Sequence, residues 1–243
     1  MYILPLVRYV YRLYFWYLHQ NAETEFVRVA KMKARFYSSD QSQEIFERVE
    51  DEAPVFKDIQ ENIEPDDVFY DIGAQYGVFS CLVGTELEQG KVIAFEPMVG
   101  PYHRLRYNLS LNDIDESTFQ CALTEHSSSG TGWLDRSDAN ISLISGDRLR
   151  EREEIPVPDV VKIDVEGGEL KAVKGLERTL KESSCRLIYC EIHPKGCFDM
   201  DGYEHVGLTK SEISELREII EGWGFTSETI HQRGDQTFIR AEQ

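Results

Sequence analysis

From residue 64 onward, five short apolar runs, at 68–70, 92–95, 119–123, 160–165 and 187–190, alternate with segments whose apolar residues recur at helical spacing. Apolar strands separated by helices leave few options. They predict an α/β fold, a mostly parallel sheet covered by helices on both faces. Helical spacing follows the first two runs at 76–87 and 102–111, and after the fourth run Leu170, Val173, Leu176 and Leu180 share one face. A further amphipathic helix is expected over 211–223, with Ser211 as its N-cap and Gly222 and Gly224 near its end. The final stretch, "GFTSETIHQRGDQTFIRAE", reads as two strands joined at 233–235. A parallel sheet that finishes in a β-hairpin departs from the ordinary dinucleotide-binding fold. No linker or repeat divides residues 64–243, so one catalytic domain is expected there, preceded by an extension over residues 1–63.

The extension opens "MYILPLVRYVYRLYFWYLHQ", apolar and aromatic but interrupted by Arg8 and Arg12. Two readings stay open for residues 1–20: a helix packed on the domain or on a second copy, and a surface-lying membrane helix. A spanning helix is disfavoured by length and by two mid-segment charges, and no small-residue cleavage site suggests a signal peptide. Residues 26–37 alternate as a strand or small hairpin would. Ile45, Phe46, Val49, Val55, Phe56 and Ile59 then fall at helical spacing until "EPDD" breaks it.

A net charge of −18, from 44 acidic against 26 basic residues, argues against nucleic acid as a partner. Such a surface would suit a high-salt cytoplasm, where self-repulsion is screened. The five cysteines include no C-x-x-C pair, so reduced, buried thiols of a cytoplasmic protein are expected. Nothing in the sequence fixes the oligomeric state.

In "VFYDIGAQYGVFS", Asp71 closes a strand and Gly73 and Gly77 occupy the turn before a helix. A dinucleotide fingerprint would need glycine at 75 and 78, where Gln75 and Val78 stand, and no G-K-[ST] follows as a phosphate loop requires. Asp71 would repel a pyrophosphate and suits a cationic or amino-bearing ligand. One strand later "KVIAFEP" ends in Glu96, placed to accept both hydroxyls of a ribose. Together these describe a pocket for a nucleoside with a positively charged tail and no phosphate. S-adenosylmethionine has those parts. Ala122 and Leu123, at the tip of the third run, are apolar enough to line the adenine.

"DIGAQYGVFS", "GKVIAFEP", "LRYNLSLND", "VVKIDVEGGELKAVKGLE" and "LIYCEIHP" resemble, in order, the successive motifs of the FkbM-type methyltransferases, over roughly residues 66–194. That resemblance implies the Rossmann-like fold of class I S-adenosylmethionine-dependent methyltransferases, a seven-stranded sheet whose last strand is antiparallel. It implies cofactor contacts from Asp71, Gly73, Gly77 and Glu96, with Gln75 where the family more often has Asn. It also implies O-methylation of a sugar, glycan or small-molecule hydroxyl.

Asp164 then ends the fourth strand on the same sheet edge as Asp71 and Glu96, facing the sulfonium and the acceptor. It could be general base, acceptor ligand, cofactor contact or metal ligand. Glu166 and Glu169 are expected to favour the dipole of the helix that follows, with Glu169 a cap only. Glu191 and His193 stand at the neighbouring strand tip. His193 is expected to act as general base or acceptor-binding residue, although Asp164, Glu191 and His193 could also hold a divalent metal. The long polar stretch 127–158 should shape the acceptor site, with Trp133 and Tyr203 as stacking surfaces. Three rivals remain: a metal-assisted catechol-like methyltransferase, a metal-dependent glycosyltransferase, which Asp71 disfavours, and a cofactor-binding protein without catalysis.

Overall fold

The computed structural model describes residues 23–38, 42–115, 117–131, 140–182, 184–197 and 206–243. The expectations for residues 1–20, Trp133 and Tyr203 lie outside them. Strands β1 (Thr24–Val29) and β2 (Met32–Tyr37) form an antiparallel hairpin, followed by helices α1 (Ser42–Asp51) and α2 (Ala53–Asn62). The alternating region begins with β3 (Val68–Ile72), α3 (Val78–Gly84), β4 (Lys91–Phe95), α4 (Val99–Leu111) and β5 (Ser117–Phe119). After three short strands, β6 (Ala122–Leu123), β7 (Ser128–Thr131) and β8 (Asn140–Ile144), come α5 (Gly146–Glu153) and β9 (Val160–Ile163). Helices α6 (Glu169–Gly175) and α7 (Glu177–Leu180), strand β10 (Leu187–Ile192), helix α8 (Lys210–Gly222) and the hairpin β11 (Thr226–Arg233) and β12 (Gln236–Glu242) complete the fold.

Seven strands form one sheet in the order β11-β12-β10-β9-β3-β4-β5. β3, β4, β5, β9 and β10 run parallel, and β12 is antiparallel to both of its neighbours. The expected architecture, mostly parallel with an antiparallel C-terminal hairpin, is therefore the one observed. The chain builds outward from β3 through β4 and β5, then returns to place β9 and β10 on the other side. That reversal opens a crevice above the carboxyl ends of β3, β4 and β9, where ligands of such sheets bind.

Three local expectations fail, each for a tertiary or capping reason. The run at 119–123 is not one strand: β5 stops at Phe119, the Cys121 N–H folds back onto the Phe119 carbonyl at 3.0 Å, and β6 joins a separate small sheet in the order β6-β8-β7. The helix at 170–180 breaks at buried Leu176, whose ψ of 14° leaves the helical region. Helix α8 is capped by Thr209 rather than Ser211. Thr209 Oγ1 accepts the Glu212 N–H while Glu212 Oε2 accepts the Thr209 N–H at 2.8 Å, a reciprocal capping box.

Two apolar clusters cover the sheet. One packs α6 and α8 onto it through Leu170, Leu176, Leu216 and Ile220. The other joins Met32, Phe36, Ile45, Val49 and Phe56 to Phe69, Phe79 and Val92. The described part of the N-terminal extension therefore shares a core with the sheet. Phe56 stacks on Phe79 with ring centroids 4.1 Å apart and planes inclined at 17°. The free edge of β2 is met by two asparagines one turn apart, Asn108 of α4 and Asn112 at its C-cap. Asn112 Oδ1 accepts the Arg35 N–H at 2.7 Å and Asn108 Oδ1 accepts the Tyr37 N–H at 3.1 Å. Cys81, Cys121, Cys185 and Cys190 are buried free thiols. No helix among the described residues is long and apolar enough to cross a membrane.

Phe56→Ala should remove this stack and leave a void against Phe79, at a cost of about 3–4 kcal/mol. Urea unfolding measures it. A loss below about 1 kcal/mol would mean that the site collapses at little cost and that the shared core contributes little.

Candidate active site

The parallel register of β3 and β9 sets Asp71 beside Lys162. Lys162 is 1% exposed, and a charge so buried must be paired. Its Nζ lies 3.3 Å from Asp71 Oδ1, 3.2 Å from Asp164 Oδ2 and 3.2 Å from the Gly73 carbonyl, and 4.9 Å from the centroid of the Phe79 ring. The other oxygen of Asp71, Oδ2, accepts the Ser80 N–H at 2.9 Å and the Ser80 O–H at 2.6 Å. That N–H belongs to the first turn of α3, where a carboxylate is favoured by the helix dipole. Asp71 is thus held inside the fold, by hydrogen bonds at Oδ2 and by an ion pair at Oδ1.

The turn between β3 and α3 bends through three left-handed residues, Gly73 (φ 81°), Gln75 (φ 47°) and Gly77 (φ 82°). Gly73 is fixed by contact as well as by conformation. A Cβ there would stand 1.8 Å from the Asp164 carbonyl oxygen, so the tips of β3 and β9 touch only because residue 73 has no side chain. Glu96, at the tip of β4, pins the turn. Its Oε2 accepts the Gln75 N–H at 2.9 Å and its Oε1 the Met98 N–H at 2.7 Å. Burial pushes the Glu96 carboxyl up to about 7, although both N–H groups pull the other way.

Above these tips lies a cavity of about 480 Å³, within the range of small-molecule sites. Phe95, Ala122, Leu123, Ile141 and Leu143 supply apolar walls. Glu96, Asp164 and Glu166 line it against one lysine, Lys171. Such a balance favours a ligand with positive charge over a diphosphate. Of the expected cofactor contacts, Gly73, Gln75, Glu96, Ala122 and Asp164 line this cavity. Asp71 and Gly77 do not. Asp71 lies behind the turn, held by Lys162 and Ser80, and Gly77 packs against Leu105 at the start of α3. Both shape the turn.

Asp164, Glu191 and His193 are brought together at the same edge, all buried. His193 Nε2 lies 3.9 Å from Asp164 Oδ1 and 3.8 Å from Glu191 Oε2. On its other side Nδ1 lies 2.8 Å from Glu169 Oε1, which also accepts the Gly167 N–H at 2.7 Å. Glu169 is therefore no mere helix cap: it is fully buried and orients the imidazole. Asp164 Oδ2 is paired with Arg48 of α1, which also reaches Gln75 Oε1 at 2.6 Å and Glu52 Oε1 at 3.2 Å. Arg233, at the turn of the C-terminal hairpin, lies 3.2 Å from Glu191 Oε1.

These neighbours separate the titrations of the group. Burial alone would raise the Asp164 carboxyl, but Lys162, Arg48 and His193 more than offset it and hold it below the usual carboxylate range. Burial and the nearby Asp164 charge push Glu191 well above that range. Burial would lower His193, yet its bond to Glu169 and the charges of Asp164, Glu169 and Glu191 raise it to about 9. Half-buried Glu166 is raised as well, by desolvation and then by Asp164.

Lys162, Arg48, Glu52 and Arg233 were not anticipated from the sequence. Lys162 had a legible signal, since a lone lysine in "VVKID" on a doubly covered strand needs a buried partner. Arg48 had none, because it meets Asp164 from 116 residues away.

A family model described as the methyltransferase FkbM domain matches residues 71–227. The hexuronic acid methyltransferase AglP of Haloferax volcanii is 32% identical over 213 residues, covering 78% of this chain and 84% of that protein. Among solved structures, a methyltransferase FkbM from Methylobacillus flagellatus superimposes with a TM-score of 0.57 at 18% identity, over 76% of this chain. The matched region spans 46%, under half, of that longer chain. The magnesium protoporphyrin IX methyltransferase of Synechocystis, solved with bound SAM, gives a TM-score of 0.50 at 11% identity and covers 85% of each chain. Both likenesses concern the fold.

Lys162→Met should leave Asp71 and Asp164 buried without their shared cation, costing about 3–5 kcal/mol of stability. Adding Asp71→Asn should recover part of that loss, because the pair is coupled. Thermal unfolding of the two variants checks this. Strictly additive losses would mean that Lys162 and Asp71 do not act as a pair.

Proposed function

The chain belongs to the FkbM family of methyltransferases, and on that premise we propose that its cavity takes S-adenosylmethionine and that the Asp164–Glu191–His193 end receives an oxygen acceptor on a sugar. The observation that carries this reading is the acid-lined cavity above the glycine turn. Bound there, S-adenosylmethionine supplies a methyl group carried on a positively charged sulfur.

The residues of the chain divide the remaining work. Gly73 lets the tips of β3 and β9 meet at the cavity floor, and Glu96 offers carboxylate oxygens to ribose hydroxyls. Ala122, Leu123 and Leu143 form an apolar slot for a base. Asp164 and Glu166 give the cavity the negative field that a sulfonium and an ammonium favour. At the other end, Asp164, Glu191 and His193 bind and orient the acceptor oxygen, and His193 in its neutral form takes its proton, with Glu169 holding the ring. Arg48 and Lys162 fix Asp164 from behind, so its Oδ1 keeps one direction.

The acceptor class follows from the relative named as a hexuronic acid methyltransferase. Sugars carrying a hexuronic acid are the first acceptors to offer. With methyl-labelled S-adenosylmethionine, the expected result is label on an oxygen of such a sugar. Label on no sugar, or on nitrogen or carbon, contradicts the reading.

Glu96 supplies a pH signature. With its carboxyl raised to about 7, the ionised form that accepts ribose hydroxyls becomes dominant only above that pH. Affinity for S-adenosylmethionine should therefore rise through about pH 7 and level off. Glu96→Gln should flatten the profile and weaken binding roughly 10- to 100-fold. A profile identical in both proteins would remove Glu96 from the ribose site.

A further inference from the structure

We propose that Asp164, Glu191 and His193 form a site for one divalent first-row cation such as Mn²⁺ or Zn²⁺. The inference goes beyond the methyl-transfer reading and stands on geometry alone.

One imidazole nitrogen and two carboxylates, from the tips of β9 and β10, place their ligand atoms within 4.8 Å of one another. Nε2 stands 3.9 Å from Asp164 Oδ1 and 3.8 Å from Glu191 Oε2. Two ligands each about 2.2 Å from a common ion stand that far apart when they subtend roughly 120°. One nitrogen with two carboxylate oxygens suits Mn²⁺ or Zn²⁺.

The surroundings are arranged as a metal site requires. Each carboxylate has its oxygens divided. Arg48 and Lys162 both hold Asp164 by Oδ2, leaving Oδ1 turned to Nε2. Arg233 holds Glu191 by Oε1, leaving Oε2 turned the same way. The ring itself is fixed from behind, with Nδ1 against Glu169 and Glu169 anchored by the Gly167 N–H. A carboxylate on the far nitrogen of a metal-binding histidine sets the tautomer and raises the basicity of the ligating nitrogen.

The test is titration of chelator-stripped, folded protein with Mn²⁺, followed by the loss of its free-ion paramagnetic resonance signal, without S-adenosylmethionine present. The site predicts one Mn²⁺ per chain, displaced by Zn²⁺. His193→Ala and Glu191→Gln should weaken binding at least 100-fold, while Glu96→Gln, across the cavity, should keep it. Should either ligand variant unfold, Glu169→Gln retains all three ligands and should weaken binding about 10- to 100-fold. Wild-type protein that leaves both metals free overturns the proposal. Uptake that none of the ligand variants weakens overturns it too, placing the metal elsewhere. Because no methyl donor is present, neither result depends on the methyl-transfer reading.

Discussion

A buried ammonium holds the centre of this protein. Lys162 projects from β9 into the core, where its ammonium donates to the Gly73 carbonyl and is ion-paired with Asp71 Oδ1 and Asp164 Oδ2. Desolvating such a charge costs several kcal/mol, and only this full set of partners offsets it. Because each partner is itself committed elsewhere, the lysine links distant parts of the chain. Asp71 anchors the first turn of α3 through Ser80, Gly73 carries the turn above β3, and Asp164 faces the imidazole after β10. The close contact between Gly73 and the Asp164 carbonyl then leaves no freedom in how the two tips meet.

From that centre the charges are sorted by direction. Cations stand behind the strand-tip carboxylates: Lys162 and Arg48 behind Asp164, Arg233 behind Glu191. Acids face the cavity, where Glu96, Asp164 and Glu166 outnumber Lys171. A donor carrying positive charge meets a favourable field, while the acids remain individually stabilised from the rear. Arg48 also makes the N-terminal extension part of the site. It comes from α1, binds Asp164 and accepts its place from Glu52 and Gln75. The extension therefore supports both the core, through Phe36 and Phe56, and the strand-tip acid Asp164, through one guanidinium.

The fold was legible because periodicity records burial: strands covered on both faces read as apolar runs, and the terminal hairpin announced itself by its turn. What the sequence hid depended on contacts across the chain. The end of β5 at Phe119 follows from where β6 finds a partner, which no local pattern states. Thr209 was legible, since "TKSE" carries the spacing of a capping box, and Ser211 merely lies closer to the apolar residues. At the site, the glycine turn and the strand-tip acids were found by type and order. Their division of labour was not. Asp71 and Glu169 look alike as acids beside glycines, yet one is consumed by Lys162 and Ser80 and the other orients His193.

The central claim is that an acid-lined cavity above a glycine turn selects a cationic nucleoside. Calorimetric titration of the purified protein with S-adenosylmethionine, and separately with NAD and a UDP-sugar, tests it directly. Runs at low and molar salt account for the charge of −18. Stoichiometric binding of S-adenosylmethionine, with neither diphosphate bound, is the result predicted. A folded sample that ignores S-adenosylmethionine, or prefers a nucleotide diphosphate, would contradict the account at its root.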